Sequence, residues 1–267
     1  MAQRIEAAGI AFAYEDTGGA GPAVLFLHGL GGSANGWLAQ LEACRERGWR
    51  GVAYDQRGAG RSEVPAGPYS VELWAKDAER LLDALAIRSA ALVGHSVGCM
   101  TAERAASPLG DRVWALALCG GAARWPDQAR PVFEERAGLA RSGRMDEIAE
   151  AVAAAGLSER CRREDPRLLG LMREAIASND GEAYALWAEA TAEGKMEGLD
   201  ALRCPLLAFC GSEDPVTPPQ ASLQIAAAAP DGRAATVAGA AHWCMLEDPE
   251  GTNNALFAFL DEYALDV

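Results

Sequence analysis

The chain has 267 residues, of which 50% are hydrophobic and 23% are charged, a balance typical of globular proteins. This length suffices for one large α/β domain, or for such a domain with an insertion. The formal net charge of −14 argues against nucleic acid and against anionic membrane surfaces as partners.

Predicted strands recur along the chain. Residues 5–14 alternate loosely between apolar and polar and are interrupted at Gly9, which indicates an N-terminal β-hairpin. Further on, short apolar runs bounded by turn residues predict strands, and those over 23–27 and 90–93 are expected to be buried. These strands are expected over residues 23–27, 51–54, 90–93, 113–119, 205–210 and 234–238.

Predicted helices lie between these strands. Ser33 and Ser70 stand at N-cap positions, and Pro219 suits the first turn of a later helix. The helices are expected over residues 34–44, 71–85, 100–106, 219–229 and 249–263. Strands that alternate with helices predict a parallel sheet with helices on both faces.

Residues 122–199 differ in character from the rest of the chain. This stretch is alanine-rich, has a helical period, carries charges on its outer faces and lacks a strand pattern. We therefore expect it to be a helical cap, or lid, inserted into a core domain that comprises residues 1–121 and 200–267.

The sharpest local pattern is the sequence Gly94-His95-Ser96-Val97-Gly98, which directly follows a buried strand. A serine between two glycines at a strand-to-helix junction is typical of a nucleophile elbow. Both glycines are needed because side chains in so tight a turn would collide with neighbouring backbone. The helix that follows would aim free N–H groups at the reacting centre. The pattern therefore predicts Ser96 as a nucleophile.

Three chemically active side chains follow predicted strands in the order Ser96, Asp214, His242. Ligands bind at the carboxyl ends of the strands in an open parallel sheet. A serine hydroxyl needs a histidine base within hydrogen-bond reach. The chain has three histidines, and His242 stands in the position of the base, whereas His95 is expected to point away from the serine.

The cysteines and the apolar segments indicate a cytoplasmic protein. The seven cysteines are scattered and form no C-x-x-C pair, which favours free thiols over a zinc site or a disulfide framework. No stretch has the apolar length of a signal peptide or a membrane span. We expect no metal, no cofactor and no membrane partner.

Five motifs occur in a characteristic order along the chain. They are His28-Gly29, the run Asp-Gln-Arg-Gly-Ala-Gly-Arg-Ser over 55–62, Gly94-His-Ser-Val-Gly98, Gly211-x-x-Asp214 and the late His242. With these motifs the chain resembles α/β-hydrolases over nearly its whole length. The stretch 64–70 and the helical insertion are most similar to 3-oxoadipate enol-lactonases and related small carboxylesterases. The resemblance implies an α/β fold with a mostly parallel eight-stranded sheet, flanking helices and a helical cap.

The resemblance also implies a role for each site residue. Asp214, which precedes a Pro-x-x-Pro stretch, would orient His242, with Glu213 as the less favoured alternative. The backbone N–H groups of Leu30 and Val97 would form the oxyanion hole. The 55–62 run is expected to brace the sheet edge through an Asp–Arg pair and to take no part in catalysis.

Five further residues are candidates for the substrate pocket. The tryptophans 37, 125, 187 and 243 can line an acyl pocket, although ordinary packing explains each of them equally well. Trp37 and Trp243 are favoured because each lies near a catalytic loop. Arg124, where the insertion begins, can bind a substrate carboxylate, but a solvent-exposed arginine is the commoner outcome.

These observations predict a cofactor-free serine hydrolase whose substrate is a small ester, lactone or enol-lactone. One alternative is hydrolysis of a carbon–carbon bond, as in meta-cleavage hydrolases. Their elbow usually has methionine where this chain has Val97. A second alternative is a ligand-binding protein of this fold without catalytic activity. The presence of all three candidate catalytic residues argues against it.

Overall fold

A computed structural model describes residues 3–7 and 9–264. Its centre is a single eight-stranded sheet in the order β1-β2-β4-β3-β5-β6-β7-β8, where β1 and β2 are antiparallel and β3 to β8 run parallel. The strands are β1 Gln3–Ala7, β2 Ile10–Asp16, β3 Ala23–Leu27, β4 Arg50–Tyr54, β5 Ala90–His95, β6 Val113–Cys119, β7 Leu206–Gly211 and β8 Gly232–Val237. The predicted α/β architecture and the N-terminal hairpin are confirmed.

The central strands are buried on both faces, which explains why they read as continuous apolar runs. Successive side chains point to opposite faces of the sheet. In β3, Leu25 and Leu27 therefore join one core and Val24 and Phe26 the other. Helices cover each core. On the first face lie α2 Val71–Ala84, α3 Val97–Leu109 and α9 Pro219–Ala228, and on the second lie α1 Leu38–Glu46, the short α10 Cys244–Glu247 and α11 Pro249–Tyr263.

Of the two serines predicted to cap helices, one does so and the other does not. Ser70 caps α2 as predicted, because its hydroxyl accepts a hydrogen bond from the Leu73 N–H at 3.2 Å. Ser33 makes no such bond, and the chain instead forms a 3₁₀ turn over Ala34–Trp37 before α1 begins. The Ala34 N–H is taken by the buried carboxylate of Asp55 at 2.7 Å. A distant side chain has replaced the local cap.

Five helices lie between β6 and β7. They are α4 Ala129–Arg141, α5 Met145–Gly156, α6 Glu159–Glu164, α7 Pro166–Ala177 and α8 Gly181–Glu193. A short antiparallel bridge between Arg124 and Lys195 joins the two ends of this segment. Its apolar cluster includes Trp74 of α2 and Met100 of α3, so the segment packs directly onto these two core helices. The boundaries of a separate cap domain at 122 and 199 stay a prediction.

The carboxyl ends of the parallel strands meet at one edge of the sheet. Register places Leu27 beside Gly94 and His95 beside Cys119, so the loops after β3 and β5 are neighbours. The loops after β7 and β8 open at the same edge, because Gly211 pairs with Val237. Within the described residues, no helix combines the length and the apolar character that crossing a bilayer requires.

Candidate active site

The turn between β5 and α3 holds Ser96 in a strained backbone conformation. Ser96 has φ +53° and ψ −122°, a region that side chains rarely adopt and that costs about 1–3 kcal/mol. A Cβ at Gly98 would lie 2.5 Å from the Leu27 carbonyl oxygen, and one at Gly94 would overlap the Gly98 carbonyl. Both glycines are therefore required by close backbone approach, as the sequence pattern predicts. The turn presents the Ser96 side chain at the amino end of α3.

Two backbone N–H groups lie beside this serine without a partner. The Val97 N–H is the first of α3, and the Leu30 N–H belongs to the loop after β3. Neither of them donates a hydrogen bond to any residue within 3–7 and 9–264. The loop approaches Ser96 closely, since a Cβ on Gly29 would lie 2.8 Å from the Ser96 Cβ. An oxyanion hole requires backbone donors without an internal partner, and the assignment of these two groups to that role stays a prediction.

A buried histidine supports the loop that carries Leu30. The Nδ1 of His28 lies 2.8 Å from the Gly29 carbonyl oxygen, and its Nε2 accepts a hydrogen bond from the Gln56 N–H at 3.0 Å. The Gln56 side chain in turn donates to the His28 carbonyl at 2.7 Å. Burial lowers the pKa of His28, so it supports the loop as a neutral ring with the proton on Nδ1.

The 55–62 run braces the site through two separate ion pairs. The buried carboxylate of Asp55 accepts from both the backbone N–H and the Nε of Arg61, each at 2.9 Å. Arg57 pairs with Asp77 of α2 instead, at 2.6 Å, and both are buried. This arrangement agrees with the bracing role. The run uses two Asp–Arg pairs, Asp55 with Arg61 and Arg57 with Asp77, where one pair was expected.

His242 is held by a buried carboxylate. Its Nδ1 lies 2.9 Å from Asp214 Oδ2, so the Nδ1–H donates to the carboxylate and the Nε2 is left for other chemistry. The alternative acid, Glu213, is exposed to solvent, whereas the Asp214 side chain is fully buried. The structure therefore brings Asp214 and His242 together.

Asp214 remains ionised although it is buried. Burial raises its pKa, but the neighbouring charge of His242 and hydrogen bonds from His242 and Thr217 outweigh this effect and lower the pKa overall. Thr217 supplies both its N–H, to Oδ1 at 2.9 Å, and its hydroxyl, to Oδ2 at 2.8 Å. Thr217 was not among the residues predicted for the site. The signal that could have found it is its position in the Pro-Val-Thr-Pro stretch directly after the acid.

His95, the neighbour of the serine, contacts the same histidine from behind. Its Nε2 lies 3.0 Å from the His242 carbonyl oxygen, and its ring centroid lies 4.8 Å from those of both His242 and Trp243. Burial, followed by the charge of His242, lowers the pKa of His95 to about 3. His95 is therefore neutral and donates its Nε2–H to the carbonyl, so it holds the backbone of the predicted base.

Ser96 and His242 line the same cavity, which has a volume of about 70 Å³ under the cap helices. Of the other residues predicted for the site, Leu30, Trp125 and Trp243 also line it. The remaining walls come mainly from the cap, including Phe133, Arg136, Val152 and Tyr184. A wider groove of about 420 Å³ between α2 and α8 lies elsewhere, and neither Ser96 nor His242 contributes to it.

Three predicted pocket residues do not line this cavity. Trp37 is fully buried behind the elbow, with its ring centroid 5.1 Å from that of Phe26. Trp187 stacks on Trp74 at 3.9 Å and donates its Nε1–H to the Arg57 carbonyl at 2.7 Å. Arg124 lies in the bridge at the neck of the insertion, where its side chain is 79% exposed and faces Asp127. The two tryptophans are therefore packed as ordinary core, and Arg124 has the solvent exposure that was the commoner expectation for it.

Several cap residues that line the cavity were not predicted, among them Arg136 and Tyr184. A signal for Arg136 is present in the sequence. It lies at i+3 from Phe133 on α4, a helix whose buried face also contains Ala137 and Ala140. An arginine on an apolar stripe indicates a charge that is turned inward. Tyr184 has no comparable signal, because an aromatic residue on a helix face is ordinary core.

Comparison with known proteins identifies the family to which the chain belongs. The family model described as alpha/beta hydrolase fold matches residues 22–249. RutD of Escherichia coli O9:H4 (strain HS), which carries the name of a carbamate hydrolase, is 32% identical over 250 residues that cover 88% of this chain and 89% of that protein. A malate-bound thermophilic esterase from Thermogutta terrifontis superposes with a TM-score of 0.92 at 30% identity, covering 98% of this chain and 100% of the esterase. The enol-lactonase of Burkholderia xenovorans LB400 gives 0.91 at 28%, covering 97% and 100%.

Proposed function

The chain belongs to the alpha/beta-hydrolase family and is a hydrolase, and from this premise we propose that it cleaves a small carboxylic ester or lactone through an acyl-enzyme on Ser96. One observation carries the proposal. A serine in a strained elbow lines the same small cavity as a histidine whose other ring nitrogen is held by a buried carboxylate. This constellation is the one that activates a serine for acyl transfer.

In the first step His242 accepts the proton of Ser96 as the oxygen attacks the carbonyl carbon. The Nε2 of His242 takes this proton, because the Nδ1–H is engaged by Asp214 at 2.9 Å. The imidazolium that forms lies beside an ionised carboxylate and is stabilised by it. The protonated ring then gives the proton to the leaving alcohol, or to the alkoxide end of an opened lactone.

The negative charge that develops on the carbonyl oxygen is met by backbone donors. We assign this role to the N–H groups of Leu30 and Val97, which have no partner among the described residues. Donors that are already held in place cost no reorganisation during the reaction, and one of them is worth roughly 10²–10³ in kcat. Water activated by His242 then releases the acid and restores Ser96.

The relatives guide the choice of substrates for a test. The similar proteins carry the names of an esterase, an enol-lactonase and a carbamate hydrolase. All three names denote hydrolysis at a carbonyl carbon. The panel should therefore contain short p-nitrophenyl esters, small lactones including an enol-lactone, and a carbamate, so that bond preference is measured directly.

The test compares wild-type protein with Ser96→Ala and with Ser178→Ala, which removes an exposed cap serine and serves as the matched control. We expect wild type and Ser178→Ala to turn over an ester or lactone and to be labelled by a fluorophosphonate. Ser96→Ala should lose about a thousandfold in rate and all labelling. Unlabelled wild-type protein without turnover would refute the proposal.

A further inference from the structure

The arginines of helix α4 differ in their partners. Arg130 and Arg141 each form ion pairs with glutamates of the neighbouring helix α8, at 2.5 Å to Glu193 and 3.0 Å to Glu182. Arg136 lies between them and lines the cavity of Ser96 instead. Among the residues that the structure describes, no carboxylate lies within 4.0 Å of its guanidinium. Arg136 thus has no carboxylate partner among these residues, although the chain has a net charge of −14.

The walls of the cavity offer Arg136 no negative charge. Neither aspartate nor glutamate lines the cavity, and Arg136 is half-buried among aromatic and aliphatic side chains such as Phe133 and Val152. A charge removed from water is costly unless an opposite charge compensates it. The protein itself does not supply that compensation, so the arrangement favours a ligand that does.

Two neutral donors in the same cavity are also unpartnered. The hydroxyl of Tyr184 and the Nε1–H of Trp125 are buried and have no hydrogen-bond partner among the described residues. Tyr184 is 2% exposed and Trp125 is 8% exposed. Burial raises the pKa of Tyr184 to about 12, and the nearby charge of Arg136 opposes this effect only partly, so the hydroxyl keeps its proton and can donate. Other buried donors of the structure also lack a partner, for example those of Trp37, Trp74 and Tyr54, but only Tyr184 and Trp125 line the cavity together with Arg136.

We propose that Arg136, Tyr184 and Trp125 form a subsite for a carboxylate carried by the substrate, remote from the bond that Ser96 cleaves. The inference rests on the proposed function and narrows its substrate class to anionic esters or lactones, such as monoesters of a dicarboxylic acid. A guanidinium binds a carboxylate through two parallel N–H donors, and a neutral acyl chain cannot satisfy them. The cavity of about 70 Å³ keeps the matching acids short.

The first test uses a matched pair of substrates, the mono-p-nitrophenyl ester of adipic acid and the same ester with a terminal carboxamide. We expect wild type to prefer the carboxylate in kcat/KM. Arg136→Met should lose about 10–100-fold on the carboxylate and little on the carboxamide, and Arg136→Lys should lose less. Arg130→Gln, which changes an arginine of the same helix that is already paired, is the control and should alter neither rate. Equal losses on both esters, or no preference in wild type, would overturn the proposal.

A second test does not require turnover. Titration calorimetry of the Ser96→Ala protein with adipate should show binding that weakens at least tenfold when Arg136→Met is added, and about threefold with Tyr184→Phe. Binding that is absent, or that does not depend on Arg136, would overturn the carboxylate subsite even if simple esters are hydrolysed. Binding that does depend on Arg136, in a protein that hydrolyses nothing, would refute the acyl-enzyme and keep the subsite.

Discussion

Replacing His95 with leucine is expected to lower the stability of the protein at neutral pH and to raise it in acid. His95 is 1% exposed, donates its Nε2–H to the His242 carbonyl oxygen at 3.0 Å, and has a pKa lowered to about 3, first by burial and then by the charge of His242. Leucine fills a similar volume but neither donates nor titrates. Loss of the hydrogen bond lowers the free energy of unfolding, whereas loss of the titrating ring raises it in acid. The pH therefore determines which effect is larger.

The size of each effect follows from these contacts. The ordinary pKa of the ring is 6.5, so between pH 6.5 and pH 3 the unfolded chain binds a proton on His95 that the folded chain does not. The free energy of unfolding of wild type therefore falls by about 1.4 kcal/mol for each pH unit below 6.5, or about 5 kcal/mol in all. At pH 7 the leucine variant leaves a buried carbonyl unpaired, at a cost of about 1–3 kcal/mol. The two proteins should be equally stable near pH ~5.

Urea unfolding followed by tryptophan fluorescence, at pH values from 8 to 4.5, measures both the loss of stability at neutral pH and the relative gain in acid. His95→Gln is the matched control, because glutamine keeps an N–H donor near the end of the side chain but does not titrate. The free energy of unfolding of His95→Gln should match that of wild type at pH 7 and exceed it at pH 5. The lowered pKa of His28 affects all three proteins alike and cancels in the comparison. A stability difference between wild type and His95→Leu that stays constant from pH 8 to 5 would refute the reasoning.

Three further changes test the supports of the site. Asp77→Ala leaves Arg57 buried and unpaired and should lower the free energy of unfolding by about 3–5 kcal/mol in urea titrations, whereas Asp77→Ala with Arg57→Met should recover most of it. Thr217→Val removes a donor that lowers the pKa of Asp214, so it should lower the free energy of unfolding by about 1.5–3 kcal/mol at neutral pH. Thr217→Ser keeps the hydroxyl and is the control. The difference in stability between the two variants should disappear as pH falls through the pKa of Asp214. Gly98→Ala places a Cβ 2.5 Å from the Leu27 carbonyl oxygen and should abolish fluorophosphonate labelling; normal labelling would show that the turn can relax.

Local signals were sufficient for most of the fold. The hairpin, the buried strands and helix α11 over Pro249–Tyr263 all follow from apolar runs, turn residues and caps that lie next to one another in the chain. Ser33 shows where local reasoning fails. Its side chain makes no cap bond, and the first N–H of the turn, that of Ala34, is bound by Asp55, which comes from the end of another strand. The neighbour relation of β3 and β4 that makes this contact possible depends on long-range pairing, which no local pattern encodes.

The lining of the cavity was predicted less well than the meeting of Ser96, Asp214 and His242 at one edge of the sheet, for a physical reason. Ser96, Asp214 and His242 follow strands whose ends must meet at one edge of a parallel sheet, so their proximity follows from topology. The tryptophans carry no such constraint. Trp37 and Trp187 are large apolar groups that gain most from complete burial, and both lie in ring stacks away from the cavity. Trp125 and Trp243 line it because loops at the strand ends carry them there.

The two arginines of the insertion show what a sequence can reveal about a charge. Arg124 was a candidate because it follows a strand, although solvent exposure was the commoner expectation; the backbone there bridges to Lys195 and the side chain is exposed to solvent. Arg136 lies in the middle of a helix, where position along the chain says nothing about chemistry but position around the helix does. It falls beside the buried face of Phe133 and Ala137, and ion pairs with α8 hold the arginines on either side of it away from that face. Position around the helix, and not position along the chain, therefore identifies the arginine that lines the cavity.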